Sequence, residues 1–201
     1  MQKEKIDQII DNLSDQGWTV IPQIFNDDLL DQLIKEEHDY WSQGTFIKAR
    51  IGTGDQKELK PEIRSDRVLW LKPDDLSPAQ QEYWNHIDEL RVALNQELYV
   101  GAQYFEAHFA VYPPGSFYKK HLDQFKQHKT RLISCILYLN RDWEASDGGS
   151  LRIYQGENDD LFIDVLPEFG TFVCFRSALV YHEVLPSKRE RYSLTGWLRR
   201  D

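Results

Sequence analysis

The chain has 201 residues, a formal net charge of −9, 28% charged residues, and 6 Trp, 10 Tyr and 10 Phe. That length can bury a sizeable core in one domain, the aromatics suit a β-rich interior, and the composition excludes global disorder. The acidic balance, with no basic stripe interleaved with aromatics, argues against a nucleic-acid partner.

No apolar signal core opens the N-terminus and no run reaches membrane-spanning length, so the expectation is a soluble, cytoplasmic protein with no membrane partner. Ile6, Ile9, Ile10 and Leu13 recur at helical spacing, which predicts a helix near 3–16 ended by Gly17, followed by a short strand at Trp18–Pro22. Asn26 is placed to cap a second helix, with Asp27 and Asp28 in its first turn and Leu29, Leu30, Leu33, Ile34 and Trp41 on its buried face. His38 lies among Glu36, Glu37 and Asp39, which predicts a solvated face. Between Ser42 and Pro61 the periodicity fails at Gly44, Gly52 and Gly54, which predicts a long loop or loose hairpin with Lys48 and Arg50 on it.

Ile63–Leu71 returns to strand character. Ser77 and Pro78 then form a cap followed by a proline at the first helical position, and they open a helix carrying Tyr83, Trp84, Ile87, Leu90, Leu94 and Leu98. From Gln103 onward the pattern alternates with period two, predicting strands near 104–112, 117–122, 131–139, 150–154, 161–165, 171–175, 179–183 and 191–198. Helices first and strands after give an α+β chain: an antiparallel sandwich or jelly roll with the N-terminal helices on the outer face of one sheet. Cys135 and Cys174 lie in apolar strand-like runs, where buried free thiols are the default and a disulfide between neighbouring strands is the alternative.

Three polar side chains stand out in the strand-rich part. His121 and Asp123 are two residues apart on extended chain, hence on one face, and His182 ends a later strand-like run. Two histidines and one carboxylate form the ligand set of non-haem Fe(II) oxygenases. A His-x-Asp pair alone is weak, because 33 acidic residues in 201 place a carboxylate two positions after about one His in six. His86-Ile87-Asp88 is such an accident, since on a helix residues two apart diverge. His108 is either a satisfied core histidine, the favoured reading, or a pocket wall, and His128 falls in an exposed Lys-rich loop. Arg191 shares a strand face with Ser193, Thr195 and Trp197. If that face points inward, the guanidinium needs an anion, and a bound carboxylate would supply it, with Tyr138 as a further donor.

A long stretch around these residues resembles the Fe(II)- and 2-oxoglutarate-dependent dioxygenases of the prolyl 4-hydroxylase branch. It runs from Val111-Tyr112-Pro113-Pro114-Gly115 and Tyr118–Asp123, through Cys135–Trp143 and Gly148–Ile153, to His182–Pro186 and Arg191–Trp197. Ile63–Trp70 resembles the strand that follows a mobile substrate-covering loop in the oxygen-sensing hydroxylases. The resemblance implies a double-stranded β-helix (jelly roll, cupin-like) forming one catalytic domain over 1–201, with helical support, substrate loop and first strands up to about 100. It implies Fe(II) held by His121, Asp123 and His182, and 2-oxoglutarate held by Arg191 and Tyr138. Tyr112, Thr195 and Trp197 would form the pocket wall. Arg64, Asp66 and Arg131 would serve substrate binding and closure, with Asp66 and Arg131 pairing across the rim and residues 46–58 closing over it.

The cofactors implied are Fe(II), 2-oxoglutarate and O2, with ascorbate as reductant. The reaction implied is hydroxylation of a prolyl residue in a protein partner, with release of succinate and CO2. The target would be a translation factor in bacterial relatives and a transcription factor in animals. Three alternatives stay open from the residues: the same chemistry on a free amino acid or small metabolite, a non-catalytic jelly-roll binding module, and a zinc hydrolase.

Overall fold

The fold is described from a computed structural model over residues 1–52, 58–124, 129–156 and 161–201. Three helices and eleven strands are assigned: α1 (Lys3–Asp15), β1 (Trp18–Ile21), α2 (Asp27–Ser42), β2 (Ile47–Lys48), β3 (Arg67–Trp70), α3 (Pro78–Leu98), β4 (Tyr104–Tyr112), β5 (Tyr118–His121), β6 (Arg131–Tyr138), β7 (Leu151–Tyr154), β8 (Phe162–Val165), β9 (Phe172–Arg176), β10 (His182–Val184) and β11 (Arg191–Arg199). The strands form a seven-stranded sheet ordered β1-β9-β6-β11-β4-β3-β2 and a four-stranded sheet ordered β5-β10-β7-β8, and the named strand pairs are antiparallel. This is the double-stranded β-helix that the alternating pattern and the resemblance led one to expect.

Strand alternation sends each central strand to two different cores. On β6, Ile133, Cys135 and Leu137 join a helix-side cluster with Leu13 of α1, Leu33 of α2 and Leu90 of α3. Ile136 and Tyr138 join an inner cluster with Leu151, Ile153 and Val184 of the smaller sheet. The helices therefore cover one face of the large sheet and the small sheet covers the other. The predicted caps are present. Asn26 Oδ1 accepts from the Leu29 amide at 2.8 Å, and Ser77 and Gln80 form a reciprocal capping box at the start of α3. Cys135 and Cys174 are register partners on β6 and β9, both buried and both free thiols.

Four expectations are refined or corrected. The segment 42–61 contains the short strand β2, paired with β3, and an Ile51–Glu58 bridge; residues 53–57 of the predicted closing loop lie outside the described residues. His128 does too. The predicted strand at Ile63–Leu71 contracts to Arg67–Trp70, because residues 61–63 form a turn and Arg64 makes only a bridge to Tyr118. The strand predicted at 179–183 is displaced to His182–Val184, since Ser177–Leu179 turn the chain.

The fourth correction concerns Glu37, which is fully buried rather than solvated. It follows Leu30 and Leu33 at helical spacing on the inner stripe of α2, whereas His38, one position on, is exposed and packs on the Tyr192 ring at 4.4 Å. Neither carboxyl oxygen of Glu37 makes a hydrogen bond of ordinary geometry among the described residues. Burial raises its pKa well above 4.5, outweighing the Ser193 and Ala110 backbone amides and the Arg191 charge, which favour the ionised form.

An acid that is neutral when folded and ionised when unfolded makes folding less favourable as pH climbs above about 4.5. Replacing Glu37 with Met is therefore expected to stabilise the fold by about 1–3 kcal/mol at pH 7. The gain should read out as a higher melting temperature that shrinks toward pH 4. An unchanged melting temperature at pH 7 would show that the carboxyl is satisfied.

Candidate active site

The smaller sheet carries the candidate metal ligands. His121 is the last residue of β5, and it is the direct register partner of His182, the first of β10. Asp123 lies in a bend just past β5 rather than on the strand, yet its carboxylate still meets both imidazoles. Oδ1 is 3.4 Å from His121 Nε2 and Oδ2 is 3.7 Å from His182 Nε2. One ligand atom from each of the three residues lies within 4.8 Å of the others.

Both histidine tautomers are set from behind. Nδ1 of His121 meets the Lys119 carbonyl at 2.7 Å, and Nδ1 of His182 meets the Val180 carbonyl at 3.0 Å. Those carbonyls can only accept, so each Nδ1 carries the proton and each Nε2 lone pair turns toward Asp123. The carboxylate is steadied by the Ser134 hydroxyl, which lies 2.7 Å from Oδ2 and 2.8 Å from the Ser177 hydroxyl. His121 is stacked on Tyr118, with centroids 3.5 Å apart.

The electrostatics suit a cation. Burial alone would raise the Asp123 pKa, but His182, His121 and Arg131 hold it well below the usual carboxylate value. Burial and the neighbouring His121 lower His182 to about 4 against the pull of Asp123. A carboxylate and the neutral His182 imidazole are thus present together near neutral pH, with His121 Nε2 beside the same carboxylate, a donor set that fits Fe(II).

Arg191 opens β11 and is 2% exposed. Its Nε donates to the Gly149 carbonyl at 2.8 Å, and no carboxylate pairs with it among the described residues. The guanidinium carbon lies 5.0 Å from the Tyr112 ring centroid and 4.8 Å from that of Tyr138, whose buried hydroxyl has no hydrogen-bond partner of ordinary geometry. Gly149, at φ +69°, is what admits Arg191. A Cβ there would stand 2.9 Å from Ser187 Cβ, 3.0 Å from the Trp143 ring and 3.2 Å from Arg191 Cδ.

A cavity of about 430 Å³ joins the two groups; His121, Asp123, His182 and Arg191 all line it. Tyr112, Thr195 and Trp197 line it as expected, and Arg64 and Arg131 do too. Tyr138 is fully buried against Arg191, which lines the cavity. The expected Asp66–Arg131 pair is not formed. Arg64 takes both oxygens of Asp66, at 2.8 and 2.5 Å, and holds that carboxylate out of the cavity wall. Arg131 instead meets Glu106 at 3.0 Å and lies 3.4 Å over the Trp197 ring, while Arg199 reaches the same Glu106 at 2.7 Å.

Sequence reasoning missed Ser134, Gly149 and Tyr118. Ser134 alternates with Ile136 and Tyr138 on the inner face of β6, which was a usable signal; the need for Gly149 follows only from the crossing of distant segments. His108 was undervalued. It is 3% exposed, lines the cavity, and packs against Trp70 and Trp197 at 4.7 and 5.3 Å. Its Nδ1 is buried without a partner among the described residues. Burial, helped by Arg64 and Arg131, lowers its pKa well below the usual value, so the ring is neutral.

With this geometry in view, residues 107–199 match the sequence model of the 2OG-Fe(II) oxygenase superfamily. A Pseudomonas putida prolyl-4-hydroxylase of known crystal structure is 39% identical, with a TM-score of 0.87 over 98% of this chain and 99% of that one. This chain belongs to the 2OG-Fe(II) oxygenase superfamily, in its prolyl hydroxylase branch. A prolyl hydroxylase in complex with a hypoxia inducible factor oxygen degradation domain peptide fragment, from Trichoplax adhaerens, shares the fold (TM-score 0.86, 23% identity, 98% of this chain and 90% of that one). Human Egl nine homolog 1 is 27% identical over 97% of this chain, which spans 46% of that protein's length. Family membership implies Fe(II), 2-oxoglutarate and O2 as the reacting set. No described helix is long and apolar enough to cross a membrane.

The lowered His182 pKa has a consequence for stability. The unfolded imidazole takes up a proton near its ordinary value of 6.5, whereas the folded one resists until about 4. The unfolded chain therefore binds more protons across that window, and metal-free protein should lose stability as pH falls from 6.5 to 4. The expected loss is about 3 kcal/mol, measured by urea unfolding at several pH values. His182→Asn should flatten the dependence, and an unchanged slope in that variant would assign it elsewhere.

Proposed function

We propose that this chain is a 2-oxoglutarate-dependent dioxygenase that hydroxylates a prolyl residue in a protein segment, by 4-hydroxylation, with residues 1–201 acting as one catalytic unit. The observation that carries the proposal is the convergence of the three donors His121, Asp123 and His182 on a cavity that also holds the buried, carboxylate-free Arg191. A zinc hydrolase would give that arginine no task.

In this reading His121, Asp123 and His182 hold Fe(II), and Arg191 receives the distal carboxylate of 2-oxoglutarate with the Tyr138 hydroxyl as a second donor. When bound, this pair supplies the oxidising chemistry: O2 is reduced as 2-oxoglutarate loses CO2 to give succinate, and one oxygen atom enters a substrate C–H bond. The chain's own contribution is position and exclusion of water. Ser134 and the Lys119 and Val180 carbonyls keep the donors aimed without further rearrangement. Tyr112, Thr195 and Trp197 bound the space left for substrate, and Arg64 is fixed by Asp66 at its edge.

Ile47, Arg50 and Trp70 line the cavity and are themselves exposed, so the site reaches the surface over several residues, which supports a polypeptide segment over a free amino acid. The Pseudomonas putida relative, 39% identical along nearly its whole length, supports the prolyl assignment. For the target, a translation factor is the candidate that the resemblance supplies.

Anaerobic titration of metal-free protein with Fe(II) and 2-oxoglutarate is the first test. A weak visible charge-transfer band is expected in the wild type. His182→Ala should abolish it. Arg191→Ala should weaken 2-oxoglutarate binding at least tenfold, since a buried charge-assisted contact contributes about 1.5–3 kcal/mol. Substrate is then sought as an added oxygen on proline in treated cell extract. Absence of the band, with tight Zn(II) binding in its place, would sink the oxygenase reading.

A further inference from the structure

The inner face of β4 presents Glu106, His108, Ala110 and Tyr112 to the cavity in alternation. Three of these have an evident use. Glu106 ties Arg131 and Arg199, Ala110 is small inner packing, and Tyr112 faces Arg191. His108 has none. It stands in register with Trp70 on one side and Thr195 on the other. Its contacts are ring faces, and Nδ1 finds no hydrogen-bond partner among the described residues. The Trp197 indole N–H beside it is buried and equally without a partner.

A buried polar group left unpaired costs about 1–3 kcal/mol, so the unpartnered Trp197 N–H, a donor beside His108 in the reaction cavity, points to a ligand that brings an acceptor. The tautomer of His108 follows from its surroundings. With no acceptor near Nδ1, a proton there would be buried unpaired, so the neutral ring carries its proton on Nε2. His108 thus offers the cavity a hydrogen-bond donor without a charge.

The chemistry of a prolyl segment matches that offer. A proline contributes a carbonyl but no N–H, so around an X-Pro bond the backbone presents acceptors and lacks one donor. Trp70 and Trp197, packed on each other at 6.2 Å and both against His108, give the cavity an aromatic wall that suits an aliphatic ring. Resting on the prolyl hydroxylase reading above, we propose that His108 is a specificity-determining residue that donates a hydrogen bond to a backbone carbonyl of the bound prolyl segment, fixing its depth in the cavity.

The test compares wild type with His108→Phe, which keeps an aromatic ring beside the two tryptophans but loses the donor, and with His108→Gln, which restores an N–H. The probe is a randomised peptide library with a fixed central proline, incubated with Fe(II), 2-oxoglutarate and O2 and read by mass spectrometry for the added oxygen. His108→Phe is expected to lose at least tenfold in hydroxylated peptide, with its anaerobic charge-transfer band and its peptide-independent 2-oxoglutarate consumption unchanged. His108→Gln should recover part of the loss.

If His108→Phe folds, forms the band and hydroxylates as wild type does, the inference is overturned and the prolyl reading stands. A wild type that forms the band but hydroxylates no peptide overturns the prolyl reading, and the inference with it. A His108→Phe variant that loses the band together with hydroxylation would assign His108 to the metal site and also overturn the inference. Melting temperatures of the three proteins separate loss of folding from loss of binding. A purely structural histidine would shift them and leave peptide hydroxylation per folded protein unmoved.

Discussion

A guanidinium removed from water costs several kcal/mol unless an anion meets it, and Arg191 is buried with its Nε donating to the Gly149 carbonyl and no carboxylate paired with it among the described residues. Much of the interior is arranged around that cost. Gly149 gives up a side chain so that the arginine stem can pass, and Tyr112 and Tyr138 lay ring faces against the cation. On the other side of the sheet, Glu37 is near enough to feel the charge, yet burial keeps its carboxyl from answering as an anion. The positive charge therefore stays available to the cavity, a few residues along β11 from the wall formed by Thr195 and Trp197.

The metal donors obey the complementary constraint. Asp123 stays ionised despite burial because His182, His121 and Arg131 surround it, and burial together with His121 opposes protonation of His182. The backbone carbonyls behind the histidines and the Ser134–Ser177 pair behind the aspartate hold the orientation, so the donor geometry is built into strand ends and bends before any ligand arrives.

Much of this was legible in the chain itself, and for physical reasons. Period-two alternation marked the inner face of β11, and the same parity put Glu183 outward, where its carboxylate accepts from the Tyr154 hydroxyl at 2.6 Å. The helical spacing of the Tyr83–Leu98 run was enough to dismiss His86 and Asp88; both lie on α3, His86 beside Met1 and Glu89, Asp88 paired with Arg91. Glu37 shows a signal read too loosely. Charge in the neighbourhood was taken for exposure, although its phase with Leu30 and Leu33 placed it inside. The Asp66–Arg131 pairing failed for another reason. Which cation a carboxylate chooses depends on side-chain reach in three dimensions, and Arg64, two residues from Asp66, wins that competition. Contacts between segments distant in sequence, such as Gly149 against Arg191, leave no local pattern to find.

None of the cavity-lining residues comes from α1, α2 or α3. The donors and Arg191 lie within the 107–199 stretch common to the superfamily, whereas the lining residues Ile47, Arg50, Arg64 and Trp70 lie between α2 and α3. The donors and this part of the cavity lining therefore sit on separate lengths of chain, joined through the pairing of β3 with β4. A substitution between the second and third helices can thus alter the cavity mouth without touching the strands that carry the donors.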